Sequence, residues 1–346
     1  MLILWQFFEK TDDTWMLFTA LRWVVLVAFI ALTICGNVLV CLAVATSRRL
    51  HQISSCFILS LAVTDLLLGL LVLPLTAMLE LRNGRWPLGG VFCNIYISLD
   101  VMLCSASILT LLAISVDRYL AISNPLCYPR RVTPRRVGIT LTAIWTCSLA
   151  VSFVSIDLGW NTPDFREGRT CRYEWNNNYV LLKAFLVFYL PLLVMCGMYH
   201  RIYCVAREQK KINKKKMQLA TAREHKATVT LAALLGAFVI CWFPYFTYST
   251  CMGMWAETHP NKLTHSVVLW LGYLNSALNP ILYPALNRDF RRACGQLLCC
   301  RRSNQGELPV CPYPLNDCPP CRIGESGPLR KGHPLLVTSG QQVFCF

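Results

Sequence analysis

Charged residues are scarce in this sequence, and their scarcity restricts what the protein can be. Asp, Glu, Lys and Arg make up 15% of its 346 residues, whereas hydrophobic residues make up 55%. A soluble domain carries about 25% charged residues, so the composition lies outside the soluble range. The mean hydropathy of +0.45 agrees with this. We therefore expect most of the chain to lie in a membrane.

Histidine is also rare, with six residues in the whole chain. No nucleophile–base set and no metal-ligand spacing falls within an apolar segment, so we expect neither an enzyme nor a resident cofactor. Residues 1–22 lack an Asn-x-Ser/Thr glycosylation acceptor, and they contain Asp12 and Asp13 where a signal peptide would have a basic start. We expect the first apolar segment to act as its own insertion signal.

Seven apolar segments have the roughly 20 residues that are needed to cross about 30 Å of hydrocarbon. Only helices and closed barrels can span lipid, and these segments are too long for barrel strands. The sequence therefore predicts an all-α, seven-helix membrane bundle. The segments are 23–47, 53–79, 86–116, 137–156, 179–203, 227–256 and 266–287.

The basic residues predict the orientation of this bundle. With the N-terminus outside, 24 of the 33 Lys and Arg residues fall on the inner side and 9 on the outer side. The positive-inside rule therefore predicts an extracellular N-terminus and a cytoplasmic C-terminus. The inner run from Lys210 to Lys216 suits either anionic lipid or a cytosolic protein partner. Nucleic acid is not an expected partner for a loop that is tied to the membrane.

The chain divides into four predicted parts. Residues 1–22 form a short extracellular N-terminus and residues 23–286 the membrane domain. Residues 287–300 form an amphipathic helix on the inner membrane surface that ends in Cys299 and Cys300, a pair suited to palmitoylation. Residues 301–346 form a disordered cytoplasmic tail, because they are rich in Pro, Gly and Ser.

A disulfide is predicted on the outer side of the bundle. Cys93 begins the third segment at its outer end, and Cys171 lies in the longest outer loop. Both positions face the oxidising compartment, where disulfides persist.

Two pairs of residues in the third and sixth segments share one spacing. Asp100 and Arg118 are 18 residues apart, and so are Glu224 and Trp242, which is five helical turns in each case. The two helices run in opposite directions. We therefore expect Trp242 at the outer level of Asp100, and Glu224 near Arg118 in an inner ionic latch.

The outer level combines a carboxylate with aromatic side chains, as cation recognition requires. An ammonium group would pair with Asp100 while aromatic faces surround it. The alternative is that Asp100 pairs internally and the aromatic residues are ordinary packing. The predicted cage consists of Trp242, Tyr245, Phe246, Trp270 and Tyr273.

A second buried carboxylate, Asp65, lies near the middle of the membrane. Ser107, Asn275 and Asn279 can reach the same depth from two other helices. An enclosed set of oxygens of this kind can hold a sodium ion with waters. A plain hydrogen-bond network with Asn37 is the alternative.

Short motifs in each part of the bundle resemble the rhodopsin-like G-protein-coupled receptors. The resemblance implies roles at the inner end for Asp117, Arg118 and Tyr119 and for Tyr199 and Tyr283. It also implies a sodium site at Asp65, and a packing switch beneath the ligand. That switch would comprise Pro191, Ile108 and Phe238. The motifs are GNVLV at 36–40, LAVTD at 61–65, DRY at 117–119, CWFP at 241–244 and NPILY at 279–283.

Longer stretches resemble the type-2 histamine branch of the aminergic receptors. The resemblance implies a biogenic amine ligand, with histamine favoured, and activation of the stimulatory G protein and adenylyl cyclase. Arrestin, a receptor kinase and membrane lipid are the further expected partners, and the plasma membrane is the expected location. The stretches are SLDVMLC at 98–104, REHKATVTLAA at 223–233, ICWFPYFT at 240–247 and VLWLGY at 268–273.

Two positions on the fifth helix depart from that branch. Its members carry an Asp and a Thr there that contact the imidazole ring, whereas this chain has Lys183 and Val187. Lys183 would repel an imidazolium and would pair instead with Asp100 or with an acidic ligand group, or else extend outward along the membrane. The alternative function is therefore an aminergic receptor with a changed ligand or high basal activity. A transporter is disfavoured because the chain has no internal repeat.

Overall fold

The fold was analysed in a computed structural model, which describes residues 12–82, 84–123, 127–154, 171, 177–212, 218–255 and 261–298. At residues 208–212 and 218–232 the description covers helical backbone only. The side chains of Lys210 and Glu224 therefore lie outside it, as do Cys299, Cys300 and the predicted tail.

The described residues form eight main helices in a membrane bundle, which confirms the predicted all-α fold. The first four are α1 (Asp12–Thr46), α2 (Ser55–Leu81), α3 (Gly89–Ser123) and α4 (Pro134–Val154). The fifth, α5, consists of Asn177–Lys183, Ala184–Tyr189 and Leu190–Ile212 without a break. The last three are α6 (Gln218–Trp255), α7 (Lys262–Leu286) and α8 (Arg288–Leu298).

Six of these helices, α1 to α6, are long and apolar enough to cross a membrane. Helix α7 is less apolar because Asn275, Asn279 and two prolines interrupt its hydrophobic run. Helix α1 begins at Asp12, inside the segment predicted as a short N-terminus. The helix can extend beyond the hydrocarbon because its backbone hydrogen bonds remain internal.

Proline residues coincide with wider helical turns in two of the spanning helices. A π-helical turn at Leu68–Val72 precedes Pro74 in α2, and another at Ala184–Tyr189 precedes Pro191 in α5. A proline lacks the backbone N–H that would bond four residues back, and the wider turn rearranges the carbonyls that are affected. In α5 the π turn begins directly after Lys183, so it affects which way this part of the helix faces.

The freed carbonyl in α7 is satisfied by another helix. Pro280 leaves the Ser276 carbonyl without its usual donor, and the Asn37 amide of α1 donates to that oxygen at 3.1 Å. Gly36 lies next to this contact, and a Cβ atom there would meet the Pro280 ring at 2.9 Å. Only glycine at 36 permits α1 and α7 to approach this closely.

The outer end of the bundle has its own apolar cluster, in which the disulfide lies. Cys93 and Cys171 are bonded, with their Cα atoms 5.8 Å apart, as predicted. Trp86 is almost fully buried beside them and donates from its indole nitrogen to the Gly89 carbonyl at 2.8 Å. The loop before α3 is therefore fixed to the top of the bundle.

The inner end of α7 turns directly into α8. The Asn287 side chain accepts a hydrogen bond from the Asp289 amide at 2.9 Å, and this caps α8. Arg291 donates to the Pro284 and Ala285 carbonyls at the end of α7. Phe290 packs inward against Tyr283, with ring centroids 5.3 Å apart. The predicted amphipathic helix is therefore present, and its position on a membrane surface stays a prediction.

The contact between α1 and α7 generates a stability prediction. Gly36→Ala should destabilise the bundle by about 1–3 kcal/mol, because the added methyl group overlaps a rigid proline ring. The apparent melting temperature of the detergent-purified receptor should fall. Gly197→Ala is the matched control, since nothing lies within 4 Å of its Cβ position in α5. Equal melting temperatures for the two variants would refute the importance of this approach.

Candidate ligand-binding site

Side chains from four helices line a cavity in the outer half of the bundle. Asp100 of α3 and Trp242 of α6 both line it, so the predicted register between these helices holds. The cavity is narrow and mostly apolar, as small-molecule sites usually are. Its other lining residues are Val101, Cys104, Ser105 and Ile108 of α3, Lys183 and Val187 of α5, Tyr245 and Phe246 of α6, and Leu269 of α7.

The Asp100 carboxylate is buried and held in place by two side chains. The Tyr273 hydroxyl of α7 donates to Asp100 Oδ1 at 2.9 Å, and the Cys104 thiol donates to the same oxygen at 3.5 Å. Tyr273 is fully buried. A buried carboxylate is tolerated where hydrogen bonds and an opposite charge compensate its lost hydration. The arrangement gives a fixed anion in the α3 wall of the cavity.

Aromatic rings form the wall next to this carboxylate. Trp242 contacts Tyr245 at 5.9 Å and Phe246 at 5.8 Å between ring centroids, and it meets Tyr273 edge-on at 6.5 Å. Phe246 in turn stacks on Phe188 at 4.4 Å. The aromatic faces can therefore surround a cation that is bound to Asp100.

The predicted role of Trp270 needs correction. Neither Trp270 nor Tyr273 is among the residues that line the cavity, although Tyr273 reaches it through its hydrogen bond to Asp100. Trp270 packs edge-on against Tyr273 at 5.7 Å and against Phe29 of α1 at 5.6 Å. Trp270 lies three positions before Tyr273 on α7, and the helix turns it toward α1. Trp270 therefore packs against Tyr273 from the α1 side, away from the cavity.

Gly272 was not anticipated from the sequence, although it shapes the site. A Cβ atom at this position would lie 2.8 Å from the Trp242 ring. The glycine therefore lets the Trp242 indole lie flat against the α7 backbone. The signal in the sequence was a glycine in a helix interior, where it costs about 1 kcal/mol relative to alanine.

Both departures on α5 face the cavity. Lys183 and Val187 line it, so the outward, lipid-facing alternative for Lys183 does not hold. The Lys183 ammonium lies 5.8 Å from the centroid of the Tyr179 ring and within electrostatic range of Asp100. Val187 offers no hydrogen bond. The cavity thus has an acidic side on α3 and a basic side on α5.

The predicted packing switch lies at the floor of the cavity. Ile108 and Phe238 are fully buried, and Pro191 is buried beside the π turn of α5. Phe188 connects the two levels, since its ring lies 5.6 Å from Phe238 and 4.4 Å from Phe246. A change in the cavity can therefore reach this layer through direct contact. Its role as a switch stays a prediction.

The inner end of α3 contains an ion pair between sequence neighbours. Arg118 bonds to the Asp117 carboxylate at 2.6 Å and 2.9 Å, and the Tyr128 hydroxyl donates to the other oxygen at 2.9 Å. Burial and the Asp117 charge raise the pKa of Tyr128, so this hydroxyl keeps its proton. The predicted latch from Arg118 to Glu224 lies outside the described side chains at its Glu224 end.

Tyr128 was missed because it lies in a one-turn helix, Tyr128–Arg131, which is too short to show periodicity. Tyr119, the third residue of the DRY motif, is partly buried beside Arg118. Tyr199 of α5 faces Ser115 of α3. Tyr283 is buried, and its hydroxyl has no hydrogen-bond partner among the described residues. The roles of these tyrosines at the inner end stay predictions.

The residues around Asp65 suit a small cation. Asn279 donates to Asp65 Oδ2 at 2.8 Å, while Asp65 Oδ1, the Ser107 hydroxyl and the Asn275 amide nitrogen are buried without a hydrogen bond to the described residues. Unsatisfied buried oxygens are costly and are normally compensated by water or an ion. The carboxylate and hydroxyl oxygens are hard donors. The set therefore fits sodium with bound water better than a transition metal.

Comparison with known proteins agrees with this geometry. Residues 36–283 match the family described as 7 transmembrane receptor (rhodopsin family). The human histamine H2 receptor is 55% identical over 289 residues, which cover 82% of this chain and 80% of the relative. The guinea pig (Cavia porcellus) histamine H2 receptor is 52% identical over 333 residues, covering 92% and 91%. The human alpha-1A adrenergic receptor is 35% identical over 328 residues, covering 82% and 70%.

The family match spans the described helices from α1 to α7, including the walls of the cavity and the Asp65 cluster. The matches to whole receptors cover most of both chains. The chain therefore belongs to the rhodopsin family of seven-transmembrane receptors, and it is a multi-pass membrane receptor rather than an enzyme.

Proposed function

We propose that this receptor responds to a biogenic amine and activates the stimulatory G protein, and through it adenylyl cyclase. Histamine is the first candidate ligand, because the histamine H2 receptors are relatives over most of the chain. The observation that carries the amine assignment is Asp100, a buried carboxylate that Tyr273 orients in the wall of an aromatic cavity. The family supports the G-protein partner.

The proposed mechanism begins with the ligand ammonium group. It would displace water, pair with Asp100 and lie against the Trp242 ring, where charge-assisted hydrogen bonding and cation–π attraction act together. Pressure on Trp242 would then reach Phe238 and Ile108. Pro244 interrupts the hydrogen bonds of α6 just below this level, so the inner half of α6 can swing outward.

A changed ligand or high basal activity is the second candidate function. Lys183 places a cation in the cavity, and Val187 removes a hydrogen-bonding side chain from it. An imidazolium would be repelled by Lys183, and a neutral imidazole would find no donor or acceptor at Val187. The Asp100 carboxylate that would bind the amine is thus present, whereas α5 lacks the side chains that would recognise the imidazole ring.

Several further parts of the proposal concern the cell. We expect the N-terminus to be extracellular and the C-terminus cytoplasmic, in the plasma membrane, in contact with lipid. Palmitoylation at Cys299 and Cys300 would anchor the end of α8. Arrestin and a receptor kinase are proposed as further cytosolic partners.

We also propose that the Asp65 cluster binds an allosteric sodium ion. Asp65 Oδ1 and the Ser107 hydroxyl would supply oxygen ligands, and Asn279 would hold the carboxylate in place. Such an ion joins α2, α3 and α7 in one arrangement. It would therefore favour the resting state of the bundle.

Histamine should raise cyclic AMP in cells that express the receptor. Asp100→Asn should raise the half-maximal concentration about 30-fold or more, because a buried ion pair is lost. Asp289→Asn, the same change on the exposed face of α8, is the control. Antibody to an N-terminal epitope on intact cells gives the surface level and tests the orientation. A response to another amine but not to histamine would refute histamine alone, whereas no amine response at all would refute the receptor function proposed here.

The helix-five departures predict a gain of function. Lys183→Asp combined with Val187→Thr should increase histamine potency, because it replaces a repulsive charge by an attractive one and adds a hydroxyl. The dose–response curve for cyclic AMP should move by about tenfold or more. Lys262→Asp makes the same charge change on the exposed start of α7 and should have little effect. An unchanged curve in the double variant would show that α5 does not set ligand identity.

Sodium should stabilise the purified receptor. Its apparent melting temperature should be higher in sodium chloride than in choline chloride of the same ionic strength, since an ion that binds only the folded state stabilises it. Asp65→Asn should remove the difference, and Asp289→Asn should retain it. The sodium site is refuted if the wild-type protein melts at the same temperature in both salts.

A further inference from the structure

The charges in the cavity balance each other. Asp100 and Lys183 lie on neighbouring helices, α3 and α5, and both line the same cavity. The other residues that line it are apolar or uncharged polar. The cavity as a whole therefore carries one negative and one positive group, and its net charge is close to zero.

The basic side extends toward the mouth of the cavity. His265 of α7 lies within electrostatic range of Lys183, and its ring is 6.1 Å from Tyr245 and 6.2 Å from Tyr248. The His265 ring and the Lys183 ammonium can donate hydrogen bonds, whereas the Tyr248 hydroxyl already donates to the Asn261 carbonyl. The basic groups thus lie on the α5 and α7 side of the site, and the Asp100 carboxylate lies on the α3 side.

This arrangement is poorly suited to a simple monocation. In an enclosed site of low dielectric, attraction to Asp100 and repulsion from Lys183 are both strong and act in opposition. A purely anionic ligand would be attracted by Lys183 and repelled by Asp100. A ligand with both charges satisfies both residues and leaves neither without a partner after water is displaced.

We infer that the cavity accepts a zwitterionic amine, with its ammonium group on Asp100 and an anionic group at its far end on Lys183. The inference rests on the proposed function, because it takes Asp100 as the ammonium site. Trp242 and Phe246 line the same cavity as the two charges and suit a flat or apolar spacer. Val187 is apolar, so the spacer needs no hydrogen-bonding group beside it.

The inference can be tested with two series of matched compounds. The first is phenethylamine, its para-carboxylate and its para-carboxamide. The second is hexylamine, ε-aminocaproate and the corresponding amide. Within each series the amide keeps the size and the amine of the acid but removes the negative charge. Cyclic AMP in cells and the melting temperature of the purified full-length receptor are both measured, so binding is seen even without signalling.

In the wild-type receptor the better-fitting acid should be about tenfold or more stronger than its amide, as expected for a charge-assisted hydrogen bond. Lys183→Met keeps the length of the side chain and should abolish or reverse this preference. Lys183→Arg should preserve it. Lys262→Met, at the exposed start of α7, is the control and should also preserve it.

Three results would overturn the inference. One is that the amide equals or exceeds the acid in the wild-type receptor in both series, by both readouts. Another is that the preference for the acid survives Lys183→Met. The third is that the wild-type receptor shows no preference for the acids while Lys183→Met becomes sensitive to the plain amines, as expected if Lys183 serves as a tethered ammonium for Asp100.

Failure of this inference can be told apart from failure of the proposed function. If plain amines act and Asp100→Asn abolishes their effect, the amine receptor stands while the zwitterionic ligand falls. If Asp100→Asn changes neither signalling nor melting shifts for any compound, the ammonium site itself is wrong. The zwitterion assignment would fall with it.

Discussion

The bundle depends on one constraint, which is that a carboxylate inside the membrane must have a hydrogen-bonding partner. In three cases that partner is on α7. Ser266 donates to Glu80 at 2.8 Å, Tyr273 donates to Asp100 at 2.9 Å and Asn279 donates to Asp65 at 2.8 Å. Ser266 and Tyr273 are seven residues apart, close to two helical turns, so they lie on one face of α7, whereas Asn279, six residues further on, is rotated by about 120° from Tyr273 around the helix axis. Helix α7 is thereby held against α2 and α3 from the outer rim to mid-membrane.

The back of α7 is fixed by a different interaction. Asn37 satisfies the Ser276 carbonyl that Pro280 leaves free, and Gly36 lets α1 approach the proline ring. The carbonyl that the proline kink in α7 leaves free is therefore hydrogen-bonded to a neighbouring helix and is not unsatisfied in the membrane. Because Tyr273 and Asn279 lie on either side of this region, the same kink sets the positions of the donors that hold Asp100 and Asp65.

Features that follow from helical periodicity were predicted correctly from the sequence. Features that depend on a contact between two helices were not. The shared 18-residue spacing correctly placed Asp100 and Trp242 on one cavity, because helical geometry converts spacing directly into depth. Trp270 was placed in the cage from its depth alone, yet its rotation about α7 directs it to Phe29. Tyr128 and Gly272 gave no periodic signal. Their importance comes from Asp117 and Trp242, residues that are distant in sequence.

Lys183 shows the same limit of prediction from the sequence, and it also connects the cavity with α6. The sequence left open whether it faced lipid or ligand, and the π turn that follows it is a tertiary feature. Because Lys183 faces inward, its positive charge and the negative charge of Asp100 lie in one cavity, which Trp242 also lines. Trp242 rests against Gly272, where no side chain blocks the ring, and its indole nitrogen is buried without a partner among the described residues. The Trp242 ring is nearly fully buried and packs directly on the α7 backbone at Gly272. In the proposed mechanism an occupant of the charged cavity would therefore displace Trp242, and Pro244, two residues on, would let α6 follow.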